Sequence, residues 1–256
     1  MTLPEQTEII YIWGDPLDFS LSPFFQEHCA ILSGNRILYK IFRGGREEFL
    51  ELLKNERCIG ANVTIPHKIH ALELCDDLTG KARNAGSVNT IFKSGGRIVG
   101  DHTDGAGLVK WLKIKGESLE ECAILGNGGS ARSIAAALFE EKCSITIFGR
   151  TEKGWETKFG SFRQLSDWKN DFPTISTLPF EVQGKNVVTI GYSCGRISTD
   201  AEMMLAFQGW LGAKRWFGKT LPAEDFARIV KLHAEAQLNQ QLILNLADVN
   251  EIQPIS

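Results

Sequence analysis

The stretch Cys122-Ala123-Ile124-Leu125-Gly126-Asn127-Gly128-Gly129-Ser130-Ala131-Arg132-Ser133-Ile134-Ala135-Ala136-Ala137-Leu138 decides how this chain folds. Its first residues form an apolar run short enough for a buried strand, and residues 133–138 are rich in strong helix formers. Between them, glycines supply the missing side chains that a sharp backbone turn needs. A strand, a glycine-rich turn and a helix in that order open a unit that binds a dinucleotide. The turn lets the backbone approach a pyrophosphate, and the helix offers unpaired amide hydrogens and a partial positive end. Gly126, Asn127, Gly128, Gly129, Ser130 and Ala131 are therefore candidate nucleotide contacts.

Downstream, Ser144-Ile145-Thr146-Ile147-Phe148 reads as the next strand and ends in Gly149-Arg150-Thr151. An acidic residue here would hold the ribose 2′-hydroxyl of NAD, whereas a basic one suits the 2′-phosphate of NADP. Arg150 stands roughly 20 residues beyond the glycines, the separation such a contact needs. Arg150 and Thr151, with Lys153 nearby, thus predict NADP as cofactor; an exposed arginine at a strand end is the plainer alternative.

Upstream, short apolar runs alternate with helical patterns, which predicts an α/β fold with mostly parallel pairing. Ile9-Ile10-Tyr11-Ile12-Trp13 is a strand closed by Gly14-Asp15-Pro16, and Ser22-Pro23 marks a helix start. Residues 37–42 form a second strand and 47–53 a helix; residues 61–64 form another strand, followed by a helix from about His67 to Cys75. Ser94-Gly95-Gly96 signals a hairpin between residues 88–92 and 97–100. Leu108, Trp111 and Leu112 stand at helical spacing. Two domains with a cleft between them are expected. Residues 1–103, completed by helices in 222–256, would bind substrate and carry the chemistry. Residues 104–221 would form the Rossmann-like dinucleotide unit.

The chain has 256 residues, 43% hydrophobic and 23% charged, with a formal net charge of −3. Nothing in that balance favours nucleic acid or an anionic membrane as partner. Its six cysteines show no metal-ligand spacing and read as buried apolar residues, so a cytoplasmic setting is expected. No metal is expected either: His67 and His70 are three apart, but no third ligand accompanies them.

Gly60-Ala61-Asn62-Val63-Thr64-Ile65-Pro66-His67-Lys68 carries the chemistry of the first half. Pro66 cannot continue a strand ladder, so Thr64 and Lys68 fall at a strand end, where α/β proteins place their ligands. Taken alone, Lys68 reads as a solvated surface charge.

Several motifs, taken in order, resemble the shikimate dehydrogenase family. Gly14-Asp15-Pro16 through Ser20-Leu21-Ser22-Pro23 is similar to its substrate-carboxylate motif, and Asn62-Val63-Thr64-Ile65-Pro66-His67-Lys68 to its catalytic-lysine motif. Gly86-Ser87-Val88-Asn89-Thr90-Ile91 and Gly100-Asp101-His102-Thr103-Asp104-Gly105 resemble the next two. The glycine-rich turn and Gly149-Arg150-Thr151 resemble its cofactor segments, and Met204-Leu205 through Gln208-Gly209 its late glutamine motif. The resemblance implies that Ser20 and Ser22 hold a carboxylate with Thr64 nearby, and that Lys68, Asn89, Asp104 and Gln208 surround ring hydroxyls. Lys68 and Asp104 would manage the proton of the reacting hydroxyl. The implied activity is reversible, NADP-dependent hydride transfer on a cyclic hydroxy or keto carboxylate such as shikimate or 3-dehydroshikimate. The implied assembly is a monomer or homodimer. Asp104 may be read equally as a cap residue before Gly105.

The departures from the family are specific. Phe19 and His102 replace a histidine and an asparagine, and Gln26-Glu27 replaces a His-Asn pair. Val187-Val188-Thr189-Ile190 runs into Gly191-Tyr192-Ser193-Cys194-Gly195 where the family has an Asn-Ala-Thr-type turn beside the nicotinamide. The family's following strand has no counterpart. His102 reads as either a titrating group or a structural imidazole, and Trp210 as either junction packing or a cover for a substrate ring. Two other functions remain open. One is a cofactor-independent acid/base enzyme, a dehydratase or proton-transfer catalyst that uses the same lysine–aspartate pair. The other is a non-catalytic metabolite sensor.

Overall fold

Among the described residues, two separate β-sheets organise the protein, and the helix that follows the second reaches back to the first. The structure is a computed structural model and describes residues 7–15, 17, 22–190 and 199–218. Ser20, Phe19, the turn at 191–195 and the helices expected in 222–256 lie outside the described residues.

The first sheet contains β1 (Glu8–Trp13), β2 (Ile37–Phe42), β3 (Cys58–Val63), β4 (Asp77–Leu78), β5 (Thr90–Ser94) and β6 (Arg97–Asp101) in the order β2-β1-β3-β5-β6-β4. β1 pairs in parallel with β2 and β3, and β5 runs antiparallel to both β3 and β6. The sheet is therefore mixed, because the β5–β6 hairpin reverses the chain through Gly95 and Gly96, both at positive φ. Both faces of β1 are covered. Ile9, Tyr11 and Trp13 pack with Phe49 and Leu53 of α2 (Arg46–Lys54), while Ile10 and Ile12 pack with Trp216 and Phe217 on the other side.

The helix expected from His67 to Cys75 is instead a turn followed by a short 3-10 stretch, His70–Leu74. Only Ala71 and Leu74 of it are buried, a spacing of three that suits i to i+3 bonding and offers too narrow an apolar stripe for an α-helix.

The second sheet contains β7 (Glu121–Leu125), β8 (Ser144–Gly149), β9 (Ser161–Gln164), β10 (Thr174–Ser176) and β11 (Val187–Thr189) in the order β11-β10-β7-β8-β9. All its pairings are parallel. The order reverses between β7 and β10, so the crevice beyond the carboxyl end of β7 is the switch point of a doubly wound sheet. One face is covered by α4 (Asp104–Lys115) and α5 (Gly129–Glu140) through Leu108, Leu112, Ile134 and Leu138. The other face, carrying Ala123, Leu125 and Phe148, is covered by loop residues Leu165, Trp168, Phe172, Leu178 and Val182.

α6 (Thr199–Phe217) joins the two halves. Its Ala201 and Met204 enter the core of the second sheet. Ala206, Phe207 and Ala213 pack on Phe25 and Cys29 of α1 (Ser22–Leu32), and Trp216 Nε1 donates to Ile91 O at 2.8 Å. A helix of this length spans roughly 28 Å, enough to touch both units.

Candidate active site

The carboxyl end of β3, the end of β6 and the middle of α6 converge on one polar cluster. Lys68 Nζ donates to Asp104 Oδ2 at 2.6 Å. Asn89 Nδ2 donates to Asp104 Oδ1 at 2.6 Å and approaches Gln208 Oε1 at 3.4 Å. Asn89 Oδ1 in turn accepts from Thr103 N at 2.8 Å and from Thr90 Oγ1 at 3.0 Å. The lysine side chain is 26% exposed and the aspartate 9%, so one partner reaches solvent while the other is held inside. Thr64, half-buried just past β3, anchors its backbone N–H on Trp13 O at 2.9 Å. Ser22 opens α1.

Local structure explains how these residues meet. β3 ends at Val63, and Pro66 three residues on cannot rejoin the ladder, so Lys68 falls in the turn beyond the strand end. Asp104 is the first residue of α4, and the residue at the cap position is Thr103, whose side chain makes no cap bond. A carboxylate in a helix's first turn is favoured by the dipole, yet both Asp104 oxygens are directed at Lys68 and Asn89. Gly107 lets α4 meet α6 backbone to backbone: a Cβ there would stand 2.7 Å from Gln208 N and 2.8 Å from Met204 O. That contact delivers Gln208 to the cluster across a long sequence separation.

The electrostatics follow from burial and pairing. Burial pushes the Asp104 carboxyl up, but the Lys68 ammonium, nearby His102 and hydrogen bonds from Lys68 and Asn89 outweigh it and hold the group below the usual carboxylate range. His102 is fully buried, and its pKa is driven down to about 4, chiefly by desolvation. It is therefore neutral at ordinary pH. The described thiols are shifted the other way: burial raises Cys75 to about 12 and Cys143 to about 11, so neither is a ready nucleophile.

The glycine-rich turn lies at the switch point. Gly128 is the cap residue of α5 and no side chain caps the helix, so its first amide hydrogens are free for a ligand. Nothing stands within 4 Å of where a side chain would project from Gly128 or Gly129. A phosphate has room there, and the residues present fit a dinucleotide. Gly126 has φ +92° and turns the chain at the end of β7. Ser130 and Ala131 lie in the first turn of α5, and Arg150 and Thr151 stand exposed past β8. Asn127, another of the candidate cofactor contacts, lies in the same turn. Its Nδ2 donates to Thr151 O at 2.7 Å and to Glu156 Oε1 at 2.6 Å, which ties the glycine turn to the loop after β8.

Thr90, Thr103, Ser133 and Glu156 take part in these networks without having been singled out by sequence. Thr90 and Ser133 carry one signal, polarity inside otherwise apolar segments, whereas Thr103 and Glu156 sit among polar neighbours and carry none. His67 stacks on Trp13 with ring centroids 4.1 Å apart, and no group of potential metal ligands exists among the described residues. Trp210 packs on Phe207, with Lys110 Nζ 4.7 Å above its ring. Among the described residues, no helix is long and apolar enough to cross a membrane.

Fold and site together define a two-unit α/β protein with a doubly wound, dinucleotide-type sheet and an ammonium–carboxylate pair where the units meet. Residues 12–91 match the shikimate dehydrogenase substrate binding domain. The NADP(+) shikimate dehydrogenase of Gluconobacter oxydans is 38% identical over 149 residues, covering 57% of this chain and 53% of that enzyme. The Shewanella woodyi enzyme of the same name is 36% identical over 174 residues, covering 62% and 63%. The chain thus spans about half to under two thirds of the length of such relatives. Thermus thermophilus shikimate 5-dehydrogenase, solved with NADP(H) and shikimate, superposes with a TM-score of 0.76 at 23% identity over 88% of this chain and 99% of that one. The ligand-free 5-ketofructose reductase of a Gluconobacter strain shares the fold at TM-score 0.73 and 21% identity over 89% and 99%. Over residues 12–91 this chain is thus similar to the substrate-binding domain of shikimate dehydrogenases, and it shares the fold of the solved enzymes.

Proposed function

We propose that the chain is an NADP-dependent oxidoreductase that transfers hydride reversibly between NADP(H) and a cyclic hydroxy or keto carboxylate of the shikimate/3-dehydroshikimate type. The observation that carries this reading is the Lys68–Asp104 pair at 2.6 Å, reached from solvent on the lysine side and backed by Asn89 and Gln208. Bound NADP would supply the hydride acceptor. Gly128, Gly129, Ser130 and Ala131 would hold its pyrophosphate at the uncapped start of α5, with Arg150 and Thr151 at its 2′-phosphate. When the ring hydroxyl is oxidised, its proton would pass to the Lys68–Asp104 pair. In reduction the pair returns it. Asp104 keeps the lysine in place, Asn89 fixes the second aspartate oxygen, and Ser20, Ser22 and Thr64 would take the substrate carboxylate. The first sheet would serve as the substrate unit and the second as the nucleotide unit, in a cytoplasmic monomer or homodimer.

Absorbance of the reduced cofactor, followed with shikimate, quinate and 3-aminoshikimate, tests the proposal. Turnover with at least one is expected. Lys68→Ala should lower kcat by about 10²–10⁴-fold, and Arg150→Ala should raise KM for NADP more than KM for the organic substrate. An active protein indifferent to Arg150→Ala and to added NADP would instead be a cofactor-independent acid/base enzyme. Absence of both turnover and NADP binding would remove the proposal.

A further inference from the structure

His102 is a titratable side chain at the site that the proposed chemistry does not use, and its hydrogen bonds determine where its proton sits. The residue is 3% exposed. Its Nδ1 lies 2.8 Å from Ser133 Oγ, and that same oxygen accepts the Gly105 N–H at 3.1 Å. A hydroxyl has a single hydrogen to give. Gly105 N–H can only donate, so Nδ1 is the one acceptor among these partners of Ser133 that can take the hydroxyl hydrogen, and the geometry favours Ser133 donating to it. Nδ1 is then an acceptor, and the imidazole proton is on Nε2. Nε2 faces Asp104 Oδ2 at 3.9 Å, the oxygen that Lys68 also holds.

The charges around the ring come from several elements. Asp104 belongs to α4, Lys68 to the turn after β3, and Asp101 to the end of β6, one residue before the ring. Asp101 is itself paired with Arg215 of α6 at 2.8 Å, while α5 presents only the uncharged Ser133. Burial dominates this mixture and keeps the ring neutral. A neutral ring with hydrogen on Nε2 places the positive end of an N–H bond towards the aspartate without competing with Lys68 for the charge.

Ser133 stands in the helix that begins at the glycine-rich turn. Gly105 N–H is among the first-turn amides of α4 that no helical carbonyl can satisfy. One hydroxyl therefore joins the nucleotide helix, the start of the catalytic helix and the imidazole. We propose that His102, fixed as its Nε2–H tautomer by Ser133, is a positioning residue for Asp104 that links the nucleotide-binding helix to the acid/base pair. The catalytic part of this inference rests on the proposed function; the tautomer and its dependence on Ser133 do not.

The test begins with long-range ¹H–¹⁵N NMR of the imidazoles in the full-length chain without ligand. An Nε2–H tautomer is expected for His102 between pH 5 and 8, and Ser133→Ala should shift it towards Nδ1–H. The second arm measures kcat/KM against pH for His102→Ala and His102→Gln. The alanine variant loses the N–H facing Asp104, so the aspartate becomes easier to protonate. Its acidic limb should move up by about half to one pH unit, with kcat down about tenfold and KM for the organic substrate little changed. Glutamine, whose amide reaches the Nε2 position, should restore most of both. An Nδ1–H tautomer in the native protein, an unchanged tautomer in Ser133→Ala or an unmoved acidic limb in His102→Ala would overturn the proposal. If the native chain shows no turnover, the oxidoreductase reading fails, while the NMR arm still decides the Ser133–His102 assignment.

Discussion

His102 and Asp104 flank Thr103 and face the same buried space, so the protonation of one is felt by the other. The folded His102 pKa of about 4 lies below the 6.5 of a free imidazole. The unfolded chain therefore takes up a proton, as pH falls through 6.5, that the folded chain refuses until about 4. Its contribution to stability is complete above 6.5 and lost across that window, by on the order of 3 kcal/mol. Asp104 behaves differently. Its depressed pKa stabilises the fold above the ordinary carboxylate value and loses that effect only below about 4. The two windows separate, which makes the histidine measurable by itself. Urea midpoints taken between pH 7.5 and 4.5 should fall in the native protein and stay much flatter in His102→Gln; parallel curves would show that burial of this ring does not set the slope. Sequence alone left His102 open between a titrating group and a structural imidazole. What settles its environment is Ser133, a polar residue in an alanine-rich helix whose partner lies in the connection between β6 and α4.

Among the elements, α4 carries the most geometric constraint, because both of its helical neighbours approach its backbone. A Cβ on Gly105 would come within 2.2 Å of Ser133 O, and one on Gly107 would press on Gln208 N and Met204 O. These obstacles are main-chain atoms, which cannot rotate away. Gly107→Ala should gain up to about 1 kcal/mol in helix propensity yet lose about 1–3 kcal/mol by forcing α4 and α6 apart. A lower Tm is expected, with a fall in kcat/KM larger than the stability loss explains, since Gln208 moves with α6. A higher Tm with unaltered kinetics would mean that the helices separate freely. The legibility of the elements follows the same physics. β7 and α5 were readable because an apolar run, glycines and helix formers sit next to one another in the chain. β9 and β10 were not readable: Ser161–Gln164 is polar, and Thr174–Ser176 is too short to show a period. The 3-10 stretch at His70–Leu74 was read as a longer helix because its apolar spacing of three is compatible with both. Lys68 and Asp104 could be paired only through family resemblance, since no local pattern links residues so far apart.

For the whole molecule, the two sheets are supported unequally, and this has consequences for ligand binding. β1 of the first sheet is enclosed on both faces, by α2 on one side and the end of α6 on the other. The second sheet has helices on one face, whereas the loop residues Leu165, Trp168, Phe172, Leu178 and Val182 cover the other. Loops bury less apolar surface per residue and open more cheaply than packed helices. Besides the buried Ser133–His102 contact, Arg132 Nε donates across the halves to Asn84 O at 3.4 Å and Lys158 Nζ to Asn84 Oδ1 at 3.0 Å. The exposed lysine bond contributes little on its own. Without ligand, amide exchange should therefore be faster in β10, β11 and the segment 165–186 than in β1, β3 and β5. A nucleotide bridging the glycine turn and the loop after β8 would stabilise that sheet by about 2.7 kcal/mol at one hundred times its Kd. Exchange in β7, β8 and β10 should then slow on addition of NADP, with β1 and β2 almost unaffected because they touch neither the turn nor α5. Uniform slowing in both sheets would indicate that α6 couples them into a single cooperative unit. No slowing anywhere would count against a nucleotide site at Gly126–Ala131, whatever the sheet topology implies.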